Sequence, residues 1–313
     1  MADTFPATAA DITDDFVIGK CEYFTSVHLW PLRKEINPKL WLENFLDDEK
    51  RHARYLLNAF IYLEDHIVEQ IVVDSFEGLS RAIGPPLDDL EGFLPRWQAF
   101  VDAVHVVVVR GETANPTDSG YSFARIARDL IGLSEEHIVE ASHALEILSA
   151  EPETPILFLD DFVGSGNQFT DTWHAEWGVG SGSASFRSLA AKGAGHYFYC
   201  PVVATTYGVD NIRRDCPGVQ IHPGHVLPPR YSALNERSLV WPDVLRATAR
   251  DFLREASRRA GIPDTGGGEN DWRGFHELAL AIGFGHGVPD ATLPLFWWES
   301  ETWNPLKKRP HKN

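Results

Sequence analysis

Two adjacent aspartates, Asp160 and Asp161, end an apolar run and are followed at once by a glycine-rich turn in the stretch ILFLDDFVGSGNQF, residues 156–169. Two neighbouring carboxylates repel each other unless hydroxyl groups or a divalent cation compensate them. Gly164 and Gly166 let the backbone turn tightly and aim successive amide groups at one point, which makes an anion cradle at the start of a helix. The combination predicts a sugar-phosphate site, with sugar hydroxyls on the aspartates and the phosphate in the turn. The alternative is an ordinary strand-to-helix turn that is acidic.

The elements that must hold these residues alternate between strand and helix. Apolar runs of the kind found in buried strands predict strands in AVHVVVV (103–109), PILFLDD (155–161), HYFYCPVVAT (196–205) and GVQIHPGHVL (218–227). Helical spacing lies between them, and a longer helix is predicted over 241–260. Alternation of this kind indicates an α/β fold with a mostly parallel sheet flanked by helices. Ligands of such sheets lie beyond the carboxyl ends of the strands, which is where Asp160 and Asp161 stand.

The two ends of the chain differ from this middle part. The first 35 residues are predicted to be irregular and acidic, and several short helices are predicted to fill 39–83. Two prolines at 85 and 86 then break the helical pattern, and GVGSGSASF (178–186) is predicted to be a loop. We therefore predict two domains, which are an N-terminal helical module over 1–94 and an α/β domain with a tryptophan-rich C-terminal tail over 95–313.

Composition narrows the class of protein. The chain has 45 acidic residues against 28 Lys and Arg, and its net charge of −17 argues against a protein that coats nucleic acid. The three cysteines are far apart and lack CxxC pairing, so neither a disulfide framework nor a thiolate zinc site is predicted. No segment approaches the roughly 20 apolar residues that span a bilayer, and the N-terminus lacks the features of a secretory signal. A cytoplasmic location without membrane contact is therefore predicted.

The stretch ILFLDDFVGSGNQF resembles the phosphoribosyl pyrophosphate-binding motif of type I phosphoribosyltransferases, in which apolar residues, an acidic pair and a loop of small residues follow one another. The resemblance implies that Asp160 and Asp161 contact the ribose hydroxyls and are the catalytic pair. It also implies that the 5′-phosphate is held by Gly164, Ser165, Gly166, Asn167 and Gln168. The loop departs from the family pattern at two positions, since Gly164 stands where Thr is common and Gln168 replaces the usual final Thr. The hydroxyl part of the cradle is therefore weaker, whereas its backbone part is intact.

Two further stretches fit this family. VVVVRGETANPTDSG is similar to the loop that faces pyrophosphate, and its candidate substrate-binding residues are Arg110, Ser119 and Gly120. PVVATTYGVDNIRR resembles the strand and turn that pass near the nucleobase pocket. The resemblance implies Mg²⁺ as cofactor, with no metal-ligating residue assigned. The family also carries a flexible hairpin that closes over the reaction, whereas residues 130–155 are predicted to be helical here. Without this lid water is poorly excluded, which leaves catalysis itself open.

The layout of the whole chain, with a helical front module and the ending GFGHGVPDATLPLFWWESETWNPL, resembles a phosphoribosyltransferase-like family of bacterial defence (conflict) systems, some of whose members lie beside reverse-transcriptase retrons. This resemblance implies an effector or regulator in antiphage defence, N-terminal helices similar to a winged-helix module, and a ligand such as phosphoribosyl pyrophosphate or a related nucleotide. We predict that those helices dock a protein partner, with nucleic acid disfavoured and a homo-oligomer as a further option.

Three functions stay open at this point. The first is a phosphoribosyltransferase that releases pyrophosphate, and the second is a non-catalytic nucleotide-sensing or regulatory protein. The third is an S-adenosylmethionine-dependent methyltransferase, because DDFVGSG is close to the cofactor loop DPFxGSG of such enzymes. Asp161 stands where the proline of that loop belongs, and neither PP pair of the chain, in GPPL and LPPR, has the (D/N/S)PP(Y/F/W) catalytic motif.

Overall fold

The structure is a computed structural model that describes residues 11–31, 35–84, 90–109 and 119–309. The α-helices within these residues are α1 (Asp14–Ser26), α2 (Pro38–Leu42), α3 (Lys50–Asn58), α4 (Asp65–Gly78), α5 (Ser80–Ile83), α6 (Leu90–Ala103), α7 (Ser119–Ile126), α8 (Ala141–Ala150), α9 (Asn167–His174), α10 (Phe186–Ala190), α11 (Thr206–Asp215) and α12 (Asp243–Ala260). The strands are β1 (Ile61–Leu63), β2 (His105–Val108), β3 (Ile138–Val139), β4 (Pro155–Val163), β5 (Trp177–Val179), β6 (Gly182–Ala184), β7 (His196–Thr205), β8 (Val219–Ile221), β9 (His225–Leu227) and β10 (Ile282–Phe284). None of these helices has both the length and the apolar content that crossing a bilayer requires.

The chain divides into two compact units. The terminal unit consists of the described parts of Met1–Asp65 and Pro229–Asn313, and the sheet unit is His66–Pro228. The units divide after Asp65 and after Pro228, whereas the predicted boundary between 94 and 95 lies inside α6. Helix α6 groups with the sheet because Phe100 packs edge-on against Phe198 of β7, with ring centroids 5.3 Å apart. The assignment of domains to 1–94 and 95–313 stays a prediction.

The sheet unit contains a parallel sheet with the strand order β3-β2-β4-β7-β8, and β9 extends it by pairing with a later part of β7. Every pairing in this sheet is parallel, which confirms the predicted α/β fold. Strand β7 covers the predicted residues, and β4 continues past the two aspartates to Val163. Both strands are buried along nearly their whole length, as expected for strands covered on two faces.

One face of this sheet packs against α8, α9 and α10. Phe158 of β4 contacts Phe169 and Phe186 edge-on, with centroids 5.1 and 5.0 Å away. Tyr199 of β7 stacks on Phe169, with centroids 4.1 Å apart and ring planes 13° apart. These contacts fix α9, the helix that follows the glycine-rich turn, against the strand that carries the aspartates.

The terminal unit is built around a different strand pair, in which β1 runs parallel to β10. Its helix α1 contradicts the expectation of an irregular first 35 residues, because Thr13 caps the helix by accepting a hydrogen bond from the Phe16 amide. Within the described residues before 95, β1 is the single strand and its partner is parallel, so this part holds no antiparallel wing of the kind a winged-helix module has.

Two segments of the sheet unit differ from the sequence expectations. Residues 130–155 contain the predicted helix as α8, but the short strand β3 precedes it and joins the sheet beside β2. The glycine-rich segment 178–186 is not a simple loop, since β5 and β6 form an antiparallel hairpin there. The 130–155 segment therefore forms part of the sheet through β3. It also packs into the core, because Ala144, Leu145 and Leu148 of α8 are fully buried.

Candidate functional site

The glycine-rich turn lies at the point of the sheet where the chain changes direction. The next strand of this sheet after β2 is β3, its neighbour on one side, whereas the next after β4 is β7, its neighbour on the other side. The connections that leave β2 and β4 therefore diverge and open a crevice at their carboxyl ends. Asp160 and Asp161 lie near the end of β4 at this crevice.

Asp160 belongs to the interior of the protein. Its side chain is 4% exposed, and its Oδ2 accepts a hydrogen bond of 2.6 Å from the Tyr199 hydroxyl. Its Oδ1 accepts a hydrogen bond of 2.9 Å from the backbone amide of Asp161. Burial, and next the neighbouring charge of Asp161, raise the pKa of Asp160 well above its usual range. The protonated form of Asp160 is therefore stabilised relative to that of an exposed aspartate.

Asp161 is only partly buried, in contrast to its neighbour. A partly exposed carboxylate at the carboxyl edge of the sheet can accept hydrogen bonds from ligand hydroxyls.

The turn from Gly164 to Gly166 requires glycine at its last position. Gly166 has a φ of +85° and is the N-cap of α9, and as a glycine it has no side chain to cap the helix. A Cβ at Gly166 would lie 2.9 Å from Cγ1 of Ile212, which leaves no room for any side chain. Ser165 is buried, and its Oγ accepts a hydrogen bond of 3.3 Å from the Asn167 amide. The side chains of Asn167 and Gln168 are exposed.

Helix α11 holds the carbonyl side of this turn. Thr205, the N-cap of α11, donates its hydroxyl to the Gly164 carbonyl, and Asn211 donates its side-chain amide to the Ser165 carbonyl over 2.9 Å. In a trans peptide the N–H points opposite to the C=O, and the described residues contain no cis peptide. The amides of Ser165 and Gly166 therefore point away from α11. The first amides of α9 also lack intrahelical acceptors, so the turn presents donors that suit an anion.

Three residues that shape the site were not predicted from the sequence, namely Tyr199, Thr205 and Asn211. Tyr199 lies in an apolar run typical of core, and only the register of β4 with β7 brings it to Asp160. Thr205 does carry a signal, because a threonine that directly precedes a helix is a common N-cap.

The remaining predicted residues have different outcomes. Arg110 lies outside the residues that the structure describes. Ser119 and Gly120 begin α7, which runs beside β2 and β4, and only their backbone is described. The structure thus brings Asp160, Asp161 and residues 164–168 together at one crevice, while their roles in binding stay predictions. In the described part of the chain, no group of three or more His, Cys, Asp or Glu side chains is placed to hold a metal ion.

A protein-family model matches most of the chain. The model of the PRTase-CE family, phosphoribosyltransferases of conflict systems, matches residues 38–309. The match includes the whole sheet unit, with the two aspartates and the glycine-rich turn, and most of the terminal unit. No curated protein matched the chain.

Proposed function

The chain belongs to the PRTase-CE family, the phosphoribosyltransferases of conflict systems, and on this premise we propose that it binds phosphoribosyl pyrophosphate and transfers the phosphoribosyl group to a nitrogen nucleophile. The observation that carries this proposal is the glycine turn beside Asp161, whose carbonyls are bonded to α11 and whose amides face away from it. That arrangement pairs donors for a phosphate with an acceptor for sugar hydroxyls at the crevice of the sheet.

In the proposed complex, the 5′-phosphate accepts hydrogen bonds from the amides of Ser165 and Gly166 and from the first turn of α9. The positive end of the α9 dipole adds to this attraction. The ribose hydroxyls donate to the Asp161 carboxylate. The nucleobase acceptor approaches from the carboxyl end of β7, where Tyr207 is exposed in the first turn of α11.

The proposed reaction replaces the bond from C1 to the pyrophosphate oxygen with a C1–N bond, and the nitrogen loses a proton. The nitrogen lone pair attacks C1 of the ribose as the bond from C1 to the pyrophosphate oxygen breaks, and the proton of the nitrogen passes to solvent. Positive charge that develops on the sugar ring is stabilised by the Asp161 carboxylate. In this proposal Mg²⁺ enters with the substrate, as its complex with phosphoribosyl pyrophosphate.

A second candidate function is ligand binding without turnover. It is favoured by the segment between α7 and β4, where phosphoribosyltransferases resembling this chain carry a flexible hairpin. Here the segment forms β3 and α8, and the buried side chains of α8 commit it to the core. A protein of this kind would sense a nucleotide in the cytoplasm and regulate a defence system through a protein partner or a second copy. The methyltransferase alternative has no supporting observation, since the family match covers DDFVGSG.

A calorimetric titration with the magnesium complex of phosphoribosyl pyrophosphate tests the proposal, followed by an assay of pyrophosphate release with a panel of purine and pyrimidine bases. We expect binding that weakens about tenfold or more in Asp161→Asn, because a hydrogen bond to a charged acceptor is lost. Asp171→Asn is the control, since Asp171 is an exposed residue of α9. No binding by the unaltered protein would contradict the proposal, and binding without release in any base would favour the second candidate.

A further inference from the structure

We infer that the two aspartates have separate tasks, in which Asp160 is a positioning residue held by Tyr199 and Asp161 alone presents its carboxylate to the ligand. This inference rests on the proposed function and deepens it. It departs from the sequence-based expectation that both aspartates contact the ribose. The two residues are adjacent in the chain, but their surroundings in the folded protein differ.

Burial separates Asp160 from any ligand in the crevice. Its side chain is 4% exposed, and each of its oxygens already accepts a hydrogen bond from the protein. A carboxylate oxygen has a second lone pair, so the bonds alone would not exclude a sugar hydroxyl. The burial does exclude it, because a hydroxyl that reached Asp160 would need to displace packed side chains of the core.

Tyr199 cannot move away from Asp160. Its ring is fully buried and stacks on Phe169, with centroids 4.1 Å apart. Phe169 lies in the first turn of α9, directly after the glycine-rich turn. A continuous set of contacts thus runs from α9 through Tyr199 to Asp160 and ends at the backbone amide of Asp161. Through these contacts the position of the glycine-rich turn is linked to the position of Asp161.

The charges around the pair support the same division. The titratable groups that face Asp160 are Asp161 on its own strand and Tyr199 on β7, and Cys216 at the end of α11 faces Tyr199. Burial and the charge of Asp161 raise the pKa of Asp160, which disfavours a second negative charge on the pair. A second charge beside the turn would repel a bound phosphate, which makes a protonated Asp160 useful to the site.

The binding arm of the test compares Asp160→Asn with Asp161→Asn. Asparagine at 160 can accept from the Asp161 amide through its oxygen, and its NH₂ can donate to the Tyr199 oxygen, so the fold is kept. We expect Asp160→Asn to bind the magnesium complex of phosphoribosyl pyrophosphate within about threefold of the unaltered protein, and Asp161→Asn to lose about tenfold or more. Equal losses in the two variants would overturn the inference and leave the proposed function in place.

The second arm needs no ligand and measures the carboxyl titrations of the pair by ¹³C NMR. We expect Asp160 to titrate well above the ordinary aspartate range. Tyr199→Phe should raise the pKa of Asp160 further, because the Tyr199 hydroxyl stabilises the carboxylate, and Asp161→Asn should lower it, because a like charge is removed. If Tyr199 were only a packing residue, Tyr199→Phe would leave the pKa of Asp160 unchanged. Titration of Asp160 in the ordinary aspartate range would overturn the inference. If the unaltered protein binds no sugar phosphate, the proposed function fails, and this arm alone decides which aspartate is the interior one.

Discussion

Asp160 is a single buried acid whose protonation links the candidate site to the stability of the fold. In the unfolded chain an aspartate has a pKa of about 3.9. Burial and the charge of Asp161 raise the pKa of Asp160 in the folded protein, so the folded state binds more protons than the unfolded state above this value. Stability must then fall as the pH rises from about 4 towards the raised pKa, by up to about 1.4 kcal/mol per pH unit.

We predict that Asp160→Asn flattens this dependence on pH. Asparagine does not titrate. The free energy of unfolding of the variant should therefore increase relative to that of the unaltered protein as the pH rises from 4 to 8. Urea denaturation at several pH values measures the difference, with the exposed Asp171→Asn as control. Parallel stability curves for Asp160→Asn and the unaltered protein would show that Asp160 is ionised throughout.

The sequence predicts the residues of the candidate site better than it predicts the residues that hold them in place. Acidic residues at a strand end and glycines in the next turn are local signals, and they led to Asp160, Asp161 and the turn. Tyr199 gives no such signal, because it lies in a core-like run 39 residues from Asp160. Only the pairing of β4 with β7 creates the hydrogen bond between them, and pairing is a property of the folded sheet.

At the scale of elements, the close approach of the glycine turn to α11 decides whether the cradle keeps its shape. Gly208 lies in the first turn of α11, and its amide donates to the Thr205 hydroxyl over 2.9 Å. A Cβ at Gly208 would lie 2.5 Å from the carbonyl oxygen of Gly164 and 2.7 Å from Cγ1 of Val163. The Gly164 oxygen belongs to the backbone of the turn, so it can move away from a new Cβ only if the turn itself shifts.

We therefore predict that Gly208→Ala destabilises the protein by about 1–3 kcal/mol and weakens binding of the proposed ligand. Gly78→Ala is a matched control, since Gly78 ends α4 in the same unit and a Cβ there meets no atom within 4 Å. The control should be neutral or gain up to about 1 kcal/mol from helix propensity. Chemical denaturation and calorimetric titration measure both effects. The same response in both variants would contradict the tight contact between the turn and α11.

A loop of the terminal unit depends on one buried ion pair. The carboxylate of Asp271 is fully buried, and it accepts hydrogen bonds from the Arg273 guanidinium over 2.8 Å and from the amides of Thr265 and Gly267 over 2.7 and 3.0 Å. Burial alone would raise the pKa of Asp271, but these hydrogen bonds outweigh it and hold the pKa below its usual range. The nearby His276 has a left-handed backbone, which is costly for a residue with a side chain.

We predict that Asp271→Asn costs about 3–5 kcal/mol of unfolding free energy, because it leaves the largely buried Arg273 without its main partner. Asp264→Asn is the control, since Asp264 contacts the same arginine from an exposed position and should cost less than about 1 kcal/mol. Because the pKa of Asp271 is lowered on folding, its contribution should be complete above about pH 4 and should decrease progressively as the pH falls towards the lowered pKa. Denaturation curves at pH 7 and pH 3 test this, and an equal cost at both values would contradict it.

The predicted elements were most accurate where the sequence pattern is long and uniform. The ten-residue β7 was predicted over its observed span, because its aromatic and β-branched residues favour a buried strand. Strand β3 has only two residues and lies in a segment with helical spacing, so its own sequence does not distinguish it. The β5–β6 hairpin is rich in glycine and serine, residues that favour loops, and its pairing depends on its surroundings.

At the scale of the whole molecule, the terminal unit joins the two ends of the chain. Strand β1 pairs with β10, and the indole N–H of Trp41 donates to the carbonyl of Leu295 over 2.7 Å. Trp41 also stacks on Phe296, with ring centroids 5.3 Å apart and planes 8° apart. The sequence indicates a tryptophan-rich tail but cannot tell which residues it covers, because no local pattern encodes a contact between distant segments. Composition and breaker residues therefore suggested a boundary near 95, away from these divisions.

The last prediction concerns the division into two units, and Trp41→Ala tests it. Trp41 is fully buried, so its truncation should cost about 3–5 kcal/mol, whereas Tyr23→Ala in the same unit should cost little because Tyr23 is 61% exposed. The aspartates, the glycine turn and α11 all belong to the sheet unit. Under conditions where Trp41→Ala remains folded, we therefore expect it to bind the magnesium complex of phosphoribosyl pyrophosphate as the unaltered protein does. Denaturation followed by fluorescence and a parallel titration give both values. Loss of binding by the folded variant would show that the site needs more than residues 66–228, and equal stability of the two variants would contradict the packing of Trp41 on the tail.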